Sequence, residues 1–184
     1  MGETERTVEE VVICSDFTLI HRLKEFITEN ADEKLINPAS IDIRVGRQLK
    51  AEDLNSRGKL YPRFFDVDLT LHTETEPYVM HPGAFVLVST LETICVPSGF
   101  GADIRLKSSR GRQGYQHALC GWIDPGWHGI ITMELRNVTQ SSLLPLYPGM
   151  RIAQVVYYCL TTKALSPYVG RYQGATTVEA AKDM

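Results

Sequence analysis

The chain has 184 residues, of which 43% are hydrophobic and 22% are charged. This length and composition are typical of a single soluble globular domain with its own core, and we expect residues 1–184 to form one domain. The formal net charge of −3 argues against a general nucleic-acid-binding protein, which would carry a basic surface.

The cysteine spacing and the hydropathy predict a cytoplasmic protein. The four cysteines are far apart and form no CxxC pair, which favours reduced thiols, although a disulfide remains open. No segment approaches the roughly 18 consecutive apolar residues of a membrane span. The N-terminus MGETERTVEE also lacks the apolar region of a signal peptide.

One convincing helix is predicted near the N-terminus. Ser15 or Asp16 can cap it, and apolar residues then recur at helical spacing as far as Asn30. A second, short helix is predicted in the last seven residues, VEAAKDM, where a frayed tail is the alternative.

Most of the remaining chain has the pattern of strands and turns. Pro-Gly and Pro-Ser turns separate β-rich runs, and many short strands with regular turns are typical of a barrel or a sandwich. The runs are Ser40–Val45, Phe65–Leu71, Ala84–Thr90, Ile130–Leu135 and Ile152–Leu160.

A carboxylate interrupts one of these strands. Side chains alternate between the two faces of a strand, so Met133 and Leu135 share one face while Glu134 and Arg136 share the other. Glu134 therefore points either to solvent, paired with Arg136, or into a cleft. A buried, unpaired carboxylate would be costly and would need a functional reason.

The segment KSSRGRQG, from Lys107 to Gly114, is predicted to be a turn that can bind phosphate. Its adjacent hydroxyls, its glycines and its cations suit an anionic ligand. The signal is weak by itself, because serine-rich basic turns are common on protein surfaces.

Other chemistries lack their motifs. There is no HExxH, and no HxE followed by PCxxC, so a zinc site is not expected. GxSxG, the Walker A pattern and the Rossmann glycine pattern are also missing.

Six motifs together resemble the dCTP deaminase branch of the trimeric dUTPase superfamily, in the family's order and nearly end to end. They are INPASIDIRVG (36–46), HPGAFVLVSTLETICVP (81–97), KSSRGRQG (107–114), GWIDPGWHGIITMELRN (121–137), YPGMRIAQVVY (147–157) and PYVGRYQG (167–174).

The resemblance implies a mainly β protein: a dUTPase-like distorted jelly-roll β-barrel with an N-terminal helix. It implies a homotrimer with active sites between subunits, and a C-terminal flap formed by about residues 165–184. Glu134 matches the family glutamate that acts as the general base in place of zinc, and Ser108 matches the serine that helps to hold the attacking water.

The resemblance also assigns the substrate contacts. Asp124 matches the aspartate that meets the deoxyribose 3′-hydroxyl and that orients water in dUTP-hydrolysing relatives. Mg²⁺ would arrive bound to the triphosphate, with no metal ligands from the protein. The expected substrate-binding residues are Lys107, Ser109, Arg112, Trp122, Gln154, Tyr168, Arg171 and Gln173.

Some positions depart from the family pattern. Gly121-Trp122 stands where purely deaminating enzymes often carry His-Arg, and a glycine followed by an aromatic residue is more like the bifunctional members. Other departures affect the flap and the base site; they are Arg110, Leu119, Cys120 and Ala175.

The sequence therefore predicts a dCTP deaminase that forms dUTP and ammonia, with dTTP as a possible inhibitor. The alternative is a bifunctional enzyme that forms dUMP and pyrophosphate, or a dUTP diphosphatase. A nucleotide-binding protein without catalytic activity is a third interpretation.

Overall fold

The computed structural model describes residues 12–58, 60–118 and 121–182. Two α-helices are present in these ranges, α1 (Asp16–Phe26) and α2 (Ser108–Gln113). The strands β1 to β15, in chain order, are Val12–Ile13, Ile27–Glu29, Ile36–Asn37, Ser40–Glu52, Phe64–Asp68, Tyr78–Met80, Phe85–Thr90, Thr93–Cys95, Phe100–Leu106, Tyr115–His117, Trp122–Ile123, His128–Gly129, Thr132–Asn137, Leu144–Leu146 and Arg151–Cys159. The predicted mainly β architecture with an N-terminal helix is confirmed.

One large antiparallel sheet organises the molecule. Its hydrogen-bonded order is β10-β13-β7-β4-β15-β9-β11, and β1, β3 and β5 pair along its sides. Two small sheets, β12-β8-β2 and β14-β6, complete the fold. Strand β15 lies between β4 and β9, so that Gln154 is opposite Asp42 on one side and Arg105 on the other.

The N-terminal helix packs one face against the sheet and ends earlier than predicted. Leu19, Leu23 and Phe26 are buried on that face, as the helical spacing requires. The prediction of a helix up to Asn30 is wrong, because Ile27 has an extended backbone and begins strand β2. Ser15 takes the N-cap position without a side-chain capping bond.

The predicted strands exist, but several of their bounds are wrong. Strand β4 continues past Val45 to Glu52, because Gly46 allows a close approach to β7: a Cβ there would lie 2.5 Å from the carbonyl oxygen of Thr90. Strand β5 ends at Asp68, whose carboxylate accepts from the Thr70 amide and begins a 3-10 turn. The strand expected at Ile130 begins at Thr132, since the Ile130 amide bonds to Ala175 instead.

Two predictions of local structure near the ends of motifs are also wrong. The KSSRGRQG segment is not an irregular turn, because Ser108–Gln113 form helix α2, which ends at Gly114 with a φ of 102°. Residues 178–182 are not helical, and the alternative of a frayed tail is also wrong, because Val178 is buried and its amide donates to Gln48 Oε1. Among the described residues, no helix combines the length and apolar character needed to cross a membrane.

The cysteine thiols that the structure describes are free. These are Cys14, Cys95 and Cys159. Two of them lie close together, with 3.6 Å between the Sγ atoms of Cys14 and Cys159. Burial, together with the hydrogen bond to Cys159, raises the pKa of the Cys14 thiol to about 12. Cys120 lies outside the described residues.

Tyr157 joins the helix to the sheet in the centre of the core. Its ring stacks on Phe26 with centroids 4.0 Å apart. Its hydroxyl donates to the carbonyl oxygens of Phe26 and Cys95, both at 3.0 Å. Complete burial raises the pKa of this phenol. One side chain therefore holds the end of α1, strand β8 and strand β15 together.

We predict that Tyr157→Phe lowers the free energy of unfolding by about 1–3 kcal/mol, since both carbonyls then lose a buried donor. Denaturant unfolding monitored by circular dichroism measures this change. The matched control is Tyr158→Phe at the next, partly exposed position, which should change stability less. Equal losses in the two variants would contradict the role given to the Tyr157 hydroxyl.

Candidate active site

A buried ion pair leads into the serine–arginine segment. Asp42, on β4, is 1% exposed and accepts a hydrogen bond from Lys107 Nζ at 2.5 Å. Asn37 Nδ2 donates to the same oxygen at 2.8 Å, and Arg151 Nη1 lies 3.5 Å from the other. A carboxylate this deeply buried needs such partners, so the position of Lys107 is fixed just before α2.

Helix α2 presents its polar side chains outward. Ser108, Ser109 and Arg112 are exposed. Arg110, which departs from the family pattern, turns toward the protein, because its Nε donates to the carbonyl oxygen of Arg151 at 2.8 Å. That bond holds α2 against β15.

Gln154 belongs to the same polar cluster. It is partly exposed, and its Oε1 accepts from the Ser40 hydroxyl at 3.3 Å. Its strand position is opposite Asp42. Lys107, Gln154 and α2 therefore form one group at the junction of β4, β9 and β15.

A second group lies at the end of β11. Asp124 directly follows this strand, and the indole Nε1 of Trp122 donates to Asp124 Oδ1 at 2.9 Å. The indole covers Gly101 of β9. Trp122 is 56% exposed, so this pair is open to a ligand or to another subunit.

The third group surrounds Glu134 on β13, at the wall of a cavity. The cavity has a volume of about 420 Å³, within the range of small-molecule pockets. Its lining is mainly apolar and includes Trp127 and Ile130. The Glu134 side chain is 29% exposed, so of the two orientations that the sequence allows, the structure has the cleft.

His117 is a titratable neighbour of Glu134. Its Nε2 lies 3.7 Å from Glu134 Oε2, and its side chain is 10% exposed. Burial lowers the pKa of His117, while the charges of Glu134 and Asp103 act in the opposite direction. We infer that the imidazole is neutral at pH 7 and offers Glu134 a polar rather than a cationic neighbour.

The C-terminal segment docks beside the Asp124 turn through both backbone and side-chain groups. The Tyr168 amide donates to the carbonyl oxygen of Pro125 at 2.7 Å, and Gln173 bonds to Gly126 and His128. Gly126 has a φ of 94°, and a Cβ on it would lie 2.6 Å from Pro167. The Asp-Pro-Gly turn therefore needs its glycine for both reasons.

The same segment then reaches the Glu134 cavity. Tyr172 and Ala175 line this cavity, as do residues 179–181. Ala175, which departs from the family pattern, contributes its carbonyl oxygen to the Ile130 amide, a bond that does not depend on its side chain. Arg171 donates to the carbonyl oxygen of Lys182 at 3.2 Å and so holds the segment to itself.

The predicted site residues thus form several groups within one subunit. Asp124 and Glu134 are the most clearly separated, since β7, β4, β15 and β9 lie between their strands in the order of the sheet. Gln173 and Tyr168 lie near the turn that follows Asp124. Leu119 and Cys120 lie outside the described residues.

Sequence reasoning missed three residues of these groups. Asp42 could have been noticed as an acidic residue inside a strand pattern, as Glu134 was. Trp127 follows the Asp-Pro-Gly turn, and its aromatic character was a signal for the cavity wall. His117 had no sequence signal, because its contact with Glu134 depends on the pairing of β10 with β13.

The described residues contain no group of three or more His, Cys, Asp or Glu side chains that could hold a metal ion. The polar groups at α2 are hydroxyls, amides and cations.

A solved structure of similar fold identifies the fold of this chain, and sequence relatives identify its family. A crystal structure of 2′-deoxycytidine 5′-triphosphate deaminase from Agrobacterium tumefaciens superimposes with a TM-score of 0.64 at 20% identity, over 81% of this chain. This match shows the fold, and the chain spans about half (48%) of that protein. The expected dUTPase-like curled β-barrel is confirmed.

The family follows from sequence profiles and curated relatives. A profile described as dCTP deaminase-like matches residues 13–160. The chain therefore belongs to the dCTP deaminase-like family.

Two relatives carry the same name, "dCTP deaminase, dUMP-forming". The protein from Streptomyces coelicolor is 38% identical over 152 residues, covering 78% of this chain and 79% of the relative. The protein from Thermobifida fusca is 40% identical over 154 residues, covering 78% and 77%.

We predict that His117 makes the protein less stable as the pH falls below about 6.5, the ordinary pKa of histidine. Because the folded pKa is lower, the unfolded chain binds more protons in this range and the free energy of unfolding falls. His117→Gln should remove this part of the pH dependence in denaturant titrations at pH 7.5 and 5.5. His81→Gln, at an exposed histidine, is the control; identical pH dependence in all three proteins would refute the prediction.

Proposed function

We propose that this protein deaminates dCTP and hydrolyses the triphosphate, releasing dUMP, pyrophosphate and ammonia. The observation that carries the deamination is the carboxylate of Glu134 at the wall of a mainly apolar cavity. The product is supported by the relatives, which are named dUMP-forming. Gly121-Trp122 supports the same product.

Glu134 is the proposed general base of the deamination. It takes a proton from the water that attacks C4 of cytosine, and then delivers protons to N3 and to the departing amine. When a nucleotide fills the cavity, the mainly apolar walls exclude bulk water, which strengthens the action of the carboxylate on the bound water. Ser108 is the proposed second holder of this water, and no zinc takes part.

The triphosphate is proposed to bind at the Lys107 group. Lys107 and Arg112 supply positive charge, while the hydroxyl of Ser109 and the amide of Gln154 donate hydrogen bonds. Mg²⁺ bound to the triphosphate neutralises phosphate charge and holds the leaving pyrophosphate. The donors of this group suit phosphate oxygens better than a resident cation.

Asp124 is the proposed residue of the second hydrolysis. One of its oxygens accepts from the deoxyribose 3′-hydroxyl, and the carboxylate orients the water that attacks the α-phosphate. The two reactions together consume two waters: one replaces the amine at C4, and one breaks the phosphoanhydride bond.

The remaining substrate contacts are proposed for the C-terminal segment and for a second subunit. Tyr168, Arg171 and Gln173 belong to a segment that already borders the Asp124 turn and the Glu134 cavity, as a flap over the nucleotide requires. The separation of Asp124 from Glu134 in the sheet supports a site shared between subunits of a homotrimer. We propose one domain, working in the cytoplasm, with dTTP as an inhibitor.

The sequence favours dUTP as the final product. The names of the relatives support dUMP as the final product better. An enzyme that only hydrolyses dUTP has no use for a base at C4, so Glu134 argues against it. A silent nucleotide-binding protein is disfavoured because Glu134, Asp124 and the α2 side chains are all retained. Ala175 does not support it either, since its contact uses the backbone.

We predict that Glu134→Gln lowers ammonia formation from dCTP by at least about 100-fold, because the amide keeps the shape but cannot take a proton. Hydrolysis of added dUTP should continue at close to the parental rate, which shows that the nucleotide still binds. Arg136→Gln, two residues along the same face, is the control and should deaminate normally. Parental ammonia formation by Glu134→Gln would rule out this base.

We also predict that dCTP and Mg²⁺ yield ammonia and dUMP in equal amounts, without accumulation of free dUTP. Chromatography of the products beside an ammonia assay measures this ratio. Asp124→Asn should still produce ammonia but should release dUTP, because only the second hydrolysis loses its carboxylate. Accumulation of dUTP by the parent would show that the dUMP-forming assignment is wrong.

A further inference from the structure

The indole of Trp122 donates a hydrogen bond to Asp124, a proposed catalytic residue. Its Nε1 lies 2.9 Å from Asp124 Oδ1. An indole N–H is a donor and never an acceptor, so this bond is suited to a carboxylate. Trp122 and Asp124 lie on the same side of the chain because they are two positions apart in an extended segment.

The indole is held in place by the strand beneath it. Strand β11 pairs with β9, where Trp122 is opposite Asp103 and Ile123 is opposite Ala102. The ring extends over Gly101, the next residue of β9. A Cβ at this glycine would lie 2.5 Å from Trp122 Cη2 and 2.8 Å from Cζ2. The ring can therefore lie flat only because position 101 has no side chain.

Tyr158 borders the indole on the same surface. The two ring centroids are 6.2 Å apart, and Tyr158 is opposite Gly101 in the pairing of β15 with β9. The Tyr158 hydroxyl accepts from Arg105 Nη2 at 3.0 Å. The indole of Trp122 therefore packs over Gly101 and borders Tyr158, whose hydroxyl is bound by Arg105. Its one N–H group points at Asp124.

The hydrogen bond from the indole gives the two carboxylate oxygens of Asp124 different roles. A carboxylate can accept at both oxygens, and the indole engages Oδ1. Rotation of the carboxylate about its side-chain torsions is then restricted, and Oδ2 becomes the oxygen that accepts from a sugar hydroxyl or from the attacking water. Correct orientation of such a group contributes to the rate even when the group providing it touches no substrate.

We propose that Trp122 is a positioning residue for the pyrophosphate-releasing step, acting through its hydrogen bond to Asp124. This inference rests on the proposed dUMP-forming function. It differs from the expectation that Trp122 is a substrate contact, because here the ring acts on the carboxylate and the nucleotide meets Asp124.

The test is the ratio of dUMP to ammonia formed from dCTP and Mg²⁺ by Trp122→Phe. Phenylalanine keeps an aromatic ring at position 122 and removes the N–H donor. The ratio should fall by about tenfold, with dUTP released in place of dUMP. The rate of ammonia formation at saturating dCTP should stay near the parental value, since Glu134 lies on another strand.

Tyr158→Phe is the matched control. It removes a hydroxyl on the other side of the indole, and the N–H bond to Asp124 remains. Its product ratio should equal that of the parent. A Trp122→Phe variant in which ammonia and dUMP fall together, with an unchanged ratio, would indicate a purely structural role and would overturn the inference.

A second variant reaches the same bond without changing Trp122. Gly101→Ala introduces a Cβ where the ring lies, so the indole must move away from Asp124 and the product ratio should shift as in Trp122→Phe. In an Asp124→Asn background, Trp122→Phe should change the ratio no further, because residues that act through one bond are not additive. Additive effects would overturn the inference.

The failures of the two proposals are distinguishable. A parent protein that forms ammonia and dUTP without dUMP overturns the dUMP-forming function, and the role of Trp122 with it. A parent that forms dUMP, together with Trp122→Phe and Gly101→Ala variants of parental product ratio, overturns only the positioning role.

Discussion

The buried carboxylate of Asp42 is the constraint on which the group formed by Lys107, Gln154 and α2 depends. It lies in the middle of the sheet, where an unpaired carboxylate would be strongly destabilising. Lys107, Asn37 and Arg151 come from three different segments to surround it. Lys107, which follows β9, cannot move away without breaking its ion pair with this carboxylate, so the start of α2 is fixed relative to β4 and β15. The exposed side chains of α2 gain a rigid base from an interaction that they do not themselves make.

The cavity beside Glu134 is held together by a different kind of contact. Its wall is formed by β13 and the turn before it, and its cover is the C-terminal segment. Most bonds between that segment and the wall use backbone atoms, as at Tyr168, Gly174 and Ala175. The geometry of the group around Lys107 is therefore determined by particular side chains. The position of the C-terminal segment over the cavity is determined by the path of its backbone and by glycines that permit this path. This difference explains why the substitution at Ala175 leaves the segment docked.

The sequence predicted those features that repeat with a simple period. Alternation and β-rich composition identified five strands, alternation gave the face of Glu134, and helical spacing identified α1. It could not predict where α1 ends, because Ile27 leaves the helix to pair with β8, a partner 67 residues away. It missed the continuation of β4 past Gly46, where the glycine looks like a break but permits close packing. The contact of His117 with Glu134 and the cluster around Asp42 depend on strand register, which no single segment contains.

The contact between Trp122 and Gly101 also has a consequence for how this protein can diverge. The indole occupies the volume of a missing Cβ on a neighbouring strand, so the two positions are not free to change independently. A side chain gained at 101 displaces the large ring at 122 from its place over β9, so the two positions are expected to change together. Among related sequences, tryptophan at 122 should therefore occur with glycine at 101, as a pair inherited together across two strands.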